Sequence, residues 1–212
     1  LTLLNGKVYL AYASHGDQTP YHGWLFEYDG HTLAQTSVYN TTPKGGLGGF
    51  WQGGGGAAVD SDGYLYLETG NGTFDAVGKT FSQANNNFSL AVLKFAVTNG
   101  IQLVDYFAPS NAVSLSGADQ DLGASAPIVL PDSAGSVAHQ RLLVGGGKTA
   151  PIYVMDRTNL GQFACTTCAN NIVQQFNGGP SGDRDTTPAF FNNTLYIMGQ
   201  NGRINAFTIS NC

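Results

Sequence analysis

A handful of polar side chains carry the chemistry this sequence offers. Asp119-Gln120-Asp121 puts two carboxylates two residues apart. Such a pair binds a metal or ligand, or accepts backbone N–H bonds in a turn. Asp17 stands between His15 and His22 in the loop HGDQTPYHG, three groups that could share a metal ion. Lys148 follows three glycines, but a strand-like run, PIYVMDR, comes after it. The helix that a phosphate-binding GxxxxGK[ST] loop requires is therefore absent. Trp51 sits in the glycine-rich GGLGGFWQGGGG and offers either a stacking surface for a ring or a plug between strands. Tyr21 is a second stacking face. Asp60 and Asp62 read as hairpin-turn residues around Gly63. Cys165-Thr-Thr-Cys168 has neither a second CxxC nor a following histidine, so zinc and c-type haem lack ligands. A loop disulfide Cys165–Cys168, or one of the two paired with Cys212, remains.

These residues fall between short strands. Residues 45–75 set the pattern: Ala57-Ala58-Val59 is a small strand and Asp60–Gly63 a turn. Tyr64-Leu65-Tyr66-Leu67 then alternates as a pleated strand does, and Gly70-Asn71-Gly72-Thr73 ends it. The same phrase recurs around Tyr9, Tyr66, Leu143 and Tyr196, which is the spacing of four-stranded propeller blades carrying loop insertions. No stretch keeps the i, i+3, i+4, i+7 apolar spacing of a helix, so helix should be nearly absent. The expected architecture is all-β, a β-propeller of four-stranded antiparallel blades. About four blades are covered, at residues 1–42, 53–109, 122–177 and 186–210 of a single domain. The last unit shows only three strands, and the four are expected to be part of a seven- or eight-bladed ring. The start without methionine or signal peptide reads as a processed or incomplete product.

Composition limits the function. Of 212 residues only 11% are charged, net charge is −5 and glycine occurs 29 times. Soluble domains carry roughly 25% charged residues, so this surface relies on amides and hydroxyls. Sparse Lys and Arg exclude nucleic acid, and no 18-residue apolar run spans a membrane. Asn40, Asn71, Asn87 and Asn192 open N-x-S/T sequons in expected loops. A secreted, periplasmic or cell-surface location fits this composition.

The phrases HGWLFEYDGHTL, DGYLYLETGN, DLGASAPIVL and KTAPIYVMDRTNLG resemble the PQQ-like, or quinoprotein alcohol dehydrogenase-like, β-propeller repeat family. The resemblance runs from about Lys7 to Gly161 and continues more weakly to Phe207. In alcohol-oxidising members a pyrroloquinoline quinone stacks on a tryptophan and binds calcium. For this chain the resemblance implies Trp51 as the stacking ring and Lys148 as the basic contact to the quinone. It implies Asn71 of Thr69-Gly70-Asn71 as a metal ligand, with Asp17 or Gln18 where the calcium-binding glutamate would stand. Asp119 and Asp121 fall in the region of the catalytic base, and Asp121 is also a candidate ligand of the metal.

The preferred expectation is a non-catalytic binding or structural module with no cofactor, assembling with other protein subunits or with an extracellular polymer or glycan. One alternative is a PQQ- and calcium-dependent alcohol or sugar dehydrogenase. The other is a carbohydrate-binding propeller stacking sugars on Trp51 and Tyr21.

Overall fold

A computed structural model describes residues 1–76, 86–148, 151–163, 172–176, 184–200 and 202–210. The three cysteines, and with them the Cys165–Cys168 pairing, lie outside the described residues.

The first sheet runs β1 (Thr2–Leu4), β2 (Lys7–Tyr12), β3 (Trp24–Asp29) and β4 (Gln35–Asn40), each antiparallel to the next. Asn5 and Gly6, both at positive φ, turn β1 into β2. The second sheet holds β5 (Ala58–Val59), β6 (Leu65–Glu68), β7 (Val92–Ala96) and β8 (Gln102–Ala108). After β8 comes α1 (Ala112–Gly117), the one α-helix among the described residues. The third sheet is built from β9 (Ile128–Val129), β10 (Leu142–Gly145) and β11 (Ile152–Asp156). β12 (Gln162–Phe163) then leaves that sheet and pairs parallel to β8 at the edge of the second. β13 (Ile172–Phe176) returns to β11. The fourth sheet has three described strands, β14 (Ala189–Phe191), β15 (Thr194–Ile197) and β16 (Asn205–Thr208).

The molecule is thus all-β with blade-like antiparallel sheets and almost no helix, and one detail differs from expectation. The second blade carries β12 as a fifth, parallel strand. Its Phe163 ring packs 5.6 Å from Phe74, and Asp105 Oδ2 accepts the N–H of nearby Leu160. A two-residue strand leaves no alternation to read. The helix α1 is likewise too short for a periodic signature. It docks through Ser116, whose Oγ accepts the Gly72 N–H and donates to the Gly72 carbonyl.

Three apolar cores lie between successive sheets. Leu25 and Tyr39 meet Leu65, Leu67, Leu93 and Phe95 between the first and second. Tyr66, Val92 and Phe107 meet Leu143, Tyr153 and Met155 between the second and third. Leu142, Val144, Ile152 and Val154 meet Leu195 and Ile197 between the third and fourth. The two central sheets are buried on both faces, so β6 and β10 are apolar at nearly every position rather than alternating with polar residues. Each fully buried Leu or Phe contributes about 1.5–3 kcal/mol relative to exposure.

One end of the central sheets is closed by charge. Asp60 Oδ1 accepts the N–H groups of Asp62 and Tyr64, each at 3.0 Å, and Oδ2 accepts from Tyr66 Oη at 2.8 Å. This is the expected turn. Arg157, from the third sheet, brings Nε to 3.4 Å from Asp60 and Nη2 to 2.9 Å from Asp132. Lys94 donates to the Arg157 carbonyl at 2.8 Å and lies 4.2 Å above the Tyr64 ring. Arg141 pairs with Asp62. Charges of both signs pair here, which makes this end a brace between two blades.

Candidate functional site

The other end of the same strands is built differently. β6 ends in Glu68 and passes into Thr69-Gly70-Asn71, and β10 passes through Gly145-Gly146-Gly147 to Lys148. Loops from these strands and their neighbours surround a cleft of about 440 Å³ lined by Asp17, Trp51, Asp119, Asp121, Lys148 and Asp185, with Gly16, Gly53 and Ala124. That volume suits a small molecule. Four aspartates face one lysine, so this end is acidic where the other is balanced.

Lys148 is the centre of the polar floor. Its Nζ lies 2.7 Å from Asp121 Oδ2 and 3.0 Å from Asp119 Oδ2, and donates to the Asp119 carbonyl at 3.1 Å. Burial disfavours the ammonium, but the hydrogen bonds and charges of Asp121 and Asp119 outweigh it and hold Lys148 above the usual lysine range. Asn71 completes the group. Its backbone N–H donates to Asp121 Oδ1 at 2.6 Å, and its Nδ2 donates to Asp119 Oδ1 at 2.9 Å. Asp119 is at φ +55°, a left-handed conformation that aspartate tolerates better than most residues. Gln52, at φ +61°, and Asp17, at φ +55°, share it, so three residues at or beside the cleft hold uncommon backbone geometry.

Trp51 forms the apolar wall. Tyr21 meets it edge-on with centroids 6.1 Å apart, and Tyr21 Oη donates to Asp17 Oδ1 at 2.6 Å. Burial, then the Asp17 hydrogen bond and charge, push the Tyr21 phenol well above its ordinary range. Gly70 has no side chain because a Cβ there would strike Asp121 Oδ1 and the Trp51 indole. That close approach seats the Thr69-Gly70-Asn71 turn between the wall and the floor.

No protein-family model matches the sequence, and no curated protein matches it. Among solved structures the chain superposes on the quinohemoprotein alcohol dehydrogenase ADHIIG of Pseudomonas putida HK5, with a TM-score of 0.63 at 18% identity. The alignment covers 92% of this chain and 35% of that one, about a third of the neighbour's length. The fold is that of a β-propeller, shared with this enzyme. At this identity the likeness establishes the fold alone, and chemistry must come from the residues of the cleft.

The propeller brings Asp17, Trp51, Asn71, Asp119, Asp121 and Lys148 to one place, although they are spread over 132 positions of sequence. His22 lies apart, with Nδ1 on Thr42 Oγ1 at 2.9 Å. Trp51 offers the ring surface that a quinone would need, but the rest of the cleft suits the group poorly. PQQ is a polycarboxylate, and the cleft sets four aspartates against one lysine. Among the described residues no three His, Cys, Asp or Glu side chains group as a metal site. The facing oxygens of Asp119 and Asp121 are taken by Lys148 and Asn71. Calcium therefore finds no prepared cage in this arrangement.

The sequons separate by burial. Asn87 is 1% exposed and its Nδ2 donates to Asp75 Oδ2 at 3.0 Å, which leaves no room for a glycan. The Asn71 amide is engaged with Asp119, and Asn40 is half-buried with Oδ1 on the Thr42 N–H. Asn192 is exposed in the turn between β14 and β15. Peptide mass mapping after expression in a glycosylating host should find sugar at Asn192 and none at Asn87.

Residues that sequence reasoning passed over support the cleft from behind. Glu68 is fully buried, with Oε1 accepting the Gly146 N–H at 3.1 Å and Oε2 unpaired. Burial pushes its carboxyl well above 4.5, while the Gly146 N–H and the Arg184 charge pull weakly the other way. A raised folded-state pKa means that the native protein loses stability as pH rises above the unfolded value of about 4.5. Glu68→Gln should therefore stabilise the protein at pH 7 and not at pH 4, as read from urea midpoints at the two pH values. The available signal was an acidic residue inside the otherwise apolar run YLYLE.

Proposed function

We propose that this chain is a non-catalytic binding module of a PQQ-type propeller, and that the cleft takes a neutral polyhydroxylated ligand, a sugar or polyol. The observation behind this reading is the pairing of the Trp51 wall with the Asp119–Lys148–Asp121 floor. A sugar presents an apolar C–H face to an indole and hydroxyls to carboxylates. Hydroxyls donate, so the carboxylate lone pairs left over by Lys148 and Asn71 suit them. A neutral ligand also avoids the repulsion that an acidic cleft imposes on an anion. Low surface charge and the exposed Asn192 sequon favour a secreted or cell-surface setting, with a glycan or another extracellular polymer as the natural partner. The covered blades would then form part of a larger seven- or eight-bladed ring.

The test is a fluorescence titration of Trp51 in a Trp24→Phe background, which leaves one tryptophan as reporter. Neutral monosaccharides, oligosaccharides and polyols are added, then PQQ with and without calcium. Saturable binding of a neutral sugar, absent by isothermal titration in Trp51→Ala, which has no reporter of its own, supports the reading. Calcium-dependent PQQ binding, with quinone absorbance and dye-linked alcohol oxidation, would replace it with the dehydrogenase.

A further inference from the structure

Lys148 reaches the cleft from a three-glycine segment that leaves strand β10 after Gly145, and its backbone is held by bonds from several sides. Glu68 Oε1 accepts the Gly146 N–H at 3.1 Å, and Ser125 Oγ donates to the Gly146 carbonyl at 2.6 Å. Arg184 Nε donates to the Gly147 carbonyl at 3.0 Å, and the Arg184 N–H donates to the Lys148 carbonyl at 3.2 Å. The Lys148 N–H donates to the Asp121 carbonyl at 2.9 Å. The glycines are required by what presses on them. A Cβ at Gly145 would overlap Glu68 Oε1, and one at Gly147 would overlap the Asp121 carbonyl.

Glu68 also holds the opposite wall. Its own backbone carbonyl accepts Gln52 Nε2 at 2.6 Å, and Gln52 follows Trp51 directly. The side chain thus fixes the arm that carries Lys148, and the main chain fixes the arm that carries Trp51.

We infer that Glu68 is a positioning residue of the cleft, a buried carboxyl whose Oε1 sets the reach of Lys148 between Asp119 and Asp121. It touches no ligand and acts through Gly146. An acceptor at that atom is what the role needs, and a negative charge is not. Glutamine, which has the same length and keeps the carbonyl oxygen, should replace it. Methionine fills similar volume but leaves the Gly146 N–H without a partner in a buried site. The Gly146–Lys148 arm then relaxes, and the ammonium loses its fixed contacts.

The ligand arm of the test rests on the proposed binding function, so the primary readout needs no ligand. In the 15N-labelled full chain, the Lys148 ammonium should give a resolved NMR signal, because two carboxylates and a carbonyl shelter it from exchange with water. Lys148→Arg assigns the signal. The expectation is that Glu68→Gln keeps it, while Glu68→Met loses it with the amide signals of Leu25 and Tyr39 in the first core unshifted. Sugar affinity should follow the signal, falling about tenfold in Glu68→Met only. Retention of the signal in folded Glu68→Met would overturn the inference. If Glu68→Met does not fold, Glu68→Gln decides: keeping the signal supports a neutral acceptor as sufficient, and losing it overturns that. An intact signal pattern with no sugar binding by the wild type would remove the proposed ligand and leave the positioning role standing.

Discussion

Arg157→Leu should cost the protein about 3–5 kcal/mol of stability, the range for removing one partner of a buried ion pair. The Arg157 and Asp60 side chains are 3% and 2% exposed. Without the guanidinium, Asp60 keeps its bonds from Tyr66 Oη and two backbone N–H groups but loses its counter-charge. Asp132 and the Leu142 carbonyl lose a donor in the same step. Lys94 stays close by, but its ammonium is committed to the Arg157 carbonyl and the Tyr64 ring. Urea unfolding should show the midpoint fall, and the double variant Arg157→Leu/Asp60→Asn should recover part of the loss. An unchanged midpoint would mean that the brace contributes nothing. Because this cluster closes the end of the sheets opposite the cleft, ligand affinity of the folded fraction should stay the same.

Trp51→Ala should do the reverse. Central aromatic anchors of binding sites contribute about 2 kcal/mol or more, roughly a 30-fold rise in Kd. Trp51 is half-buried and packs on Tyr21 and Gly70, so some stability is lost with it. The matched control is Trp24→Ala. Trp24 stacks on Phe26 at 6.0 Å, in an aromatic row on β3 that does not line the cleft. Isothermal titration with the tightest sugar of the panel should show the affinity lost in the first variant and kept in the second. Equal affinity in both would remove Trp51 from the site.

The strands were legible because local patterns determine them. Tyr64–Leu67 alternates, Asn5-Gly6 and Asn192-Asn193 adopt the positive φ that tight turns need, and Asp60 caps its own hairpin as its type and place imply. Position in the cleft was legible for Asp17, Trp51, Asn71, Asp119, Asp121 and Lys148 mainly through the resemblance, since nothing local brings them together. What pattern reading could not supply is long-range pairing. Glu68 and Gly146 are bonded across 78 positions, and Asn71 and Asp121 across 50. The glycines before Lys148 illustrate the gap. The strand-like run after Lys148 rules out a phosphate loop but leaves the glycines unexplained, whereas in the fold a buried carboxyl and a carbonyl occupy the space of their side chains.

The most direct test of the binding cleft is a high-resolution crystal structure of the chain soaked with the sugar or polyol that titrates best. The account predicts a sugar ring over the Trp51 indole, with hydroxyls donating to Asp119 and Asp121 and the Lys148 contacts to both aspartates kept. Planar tricyclic density against Trp51, beside an ion about 2.3–2.6 Å from the oxygens of Asn71 and Asp121, would contradict it and make the cleft a quinone centre.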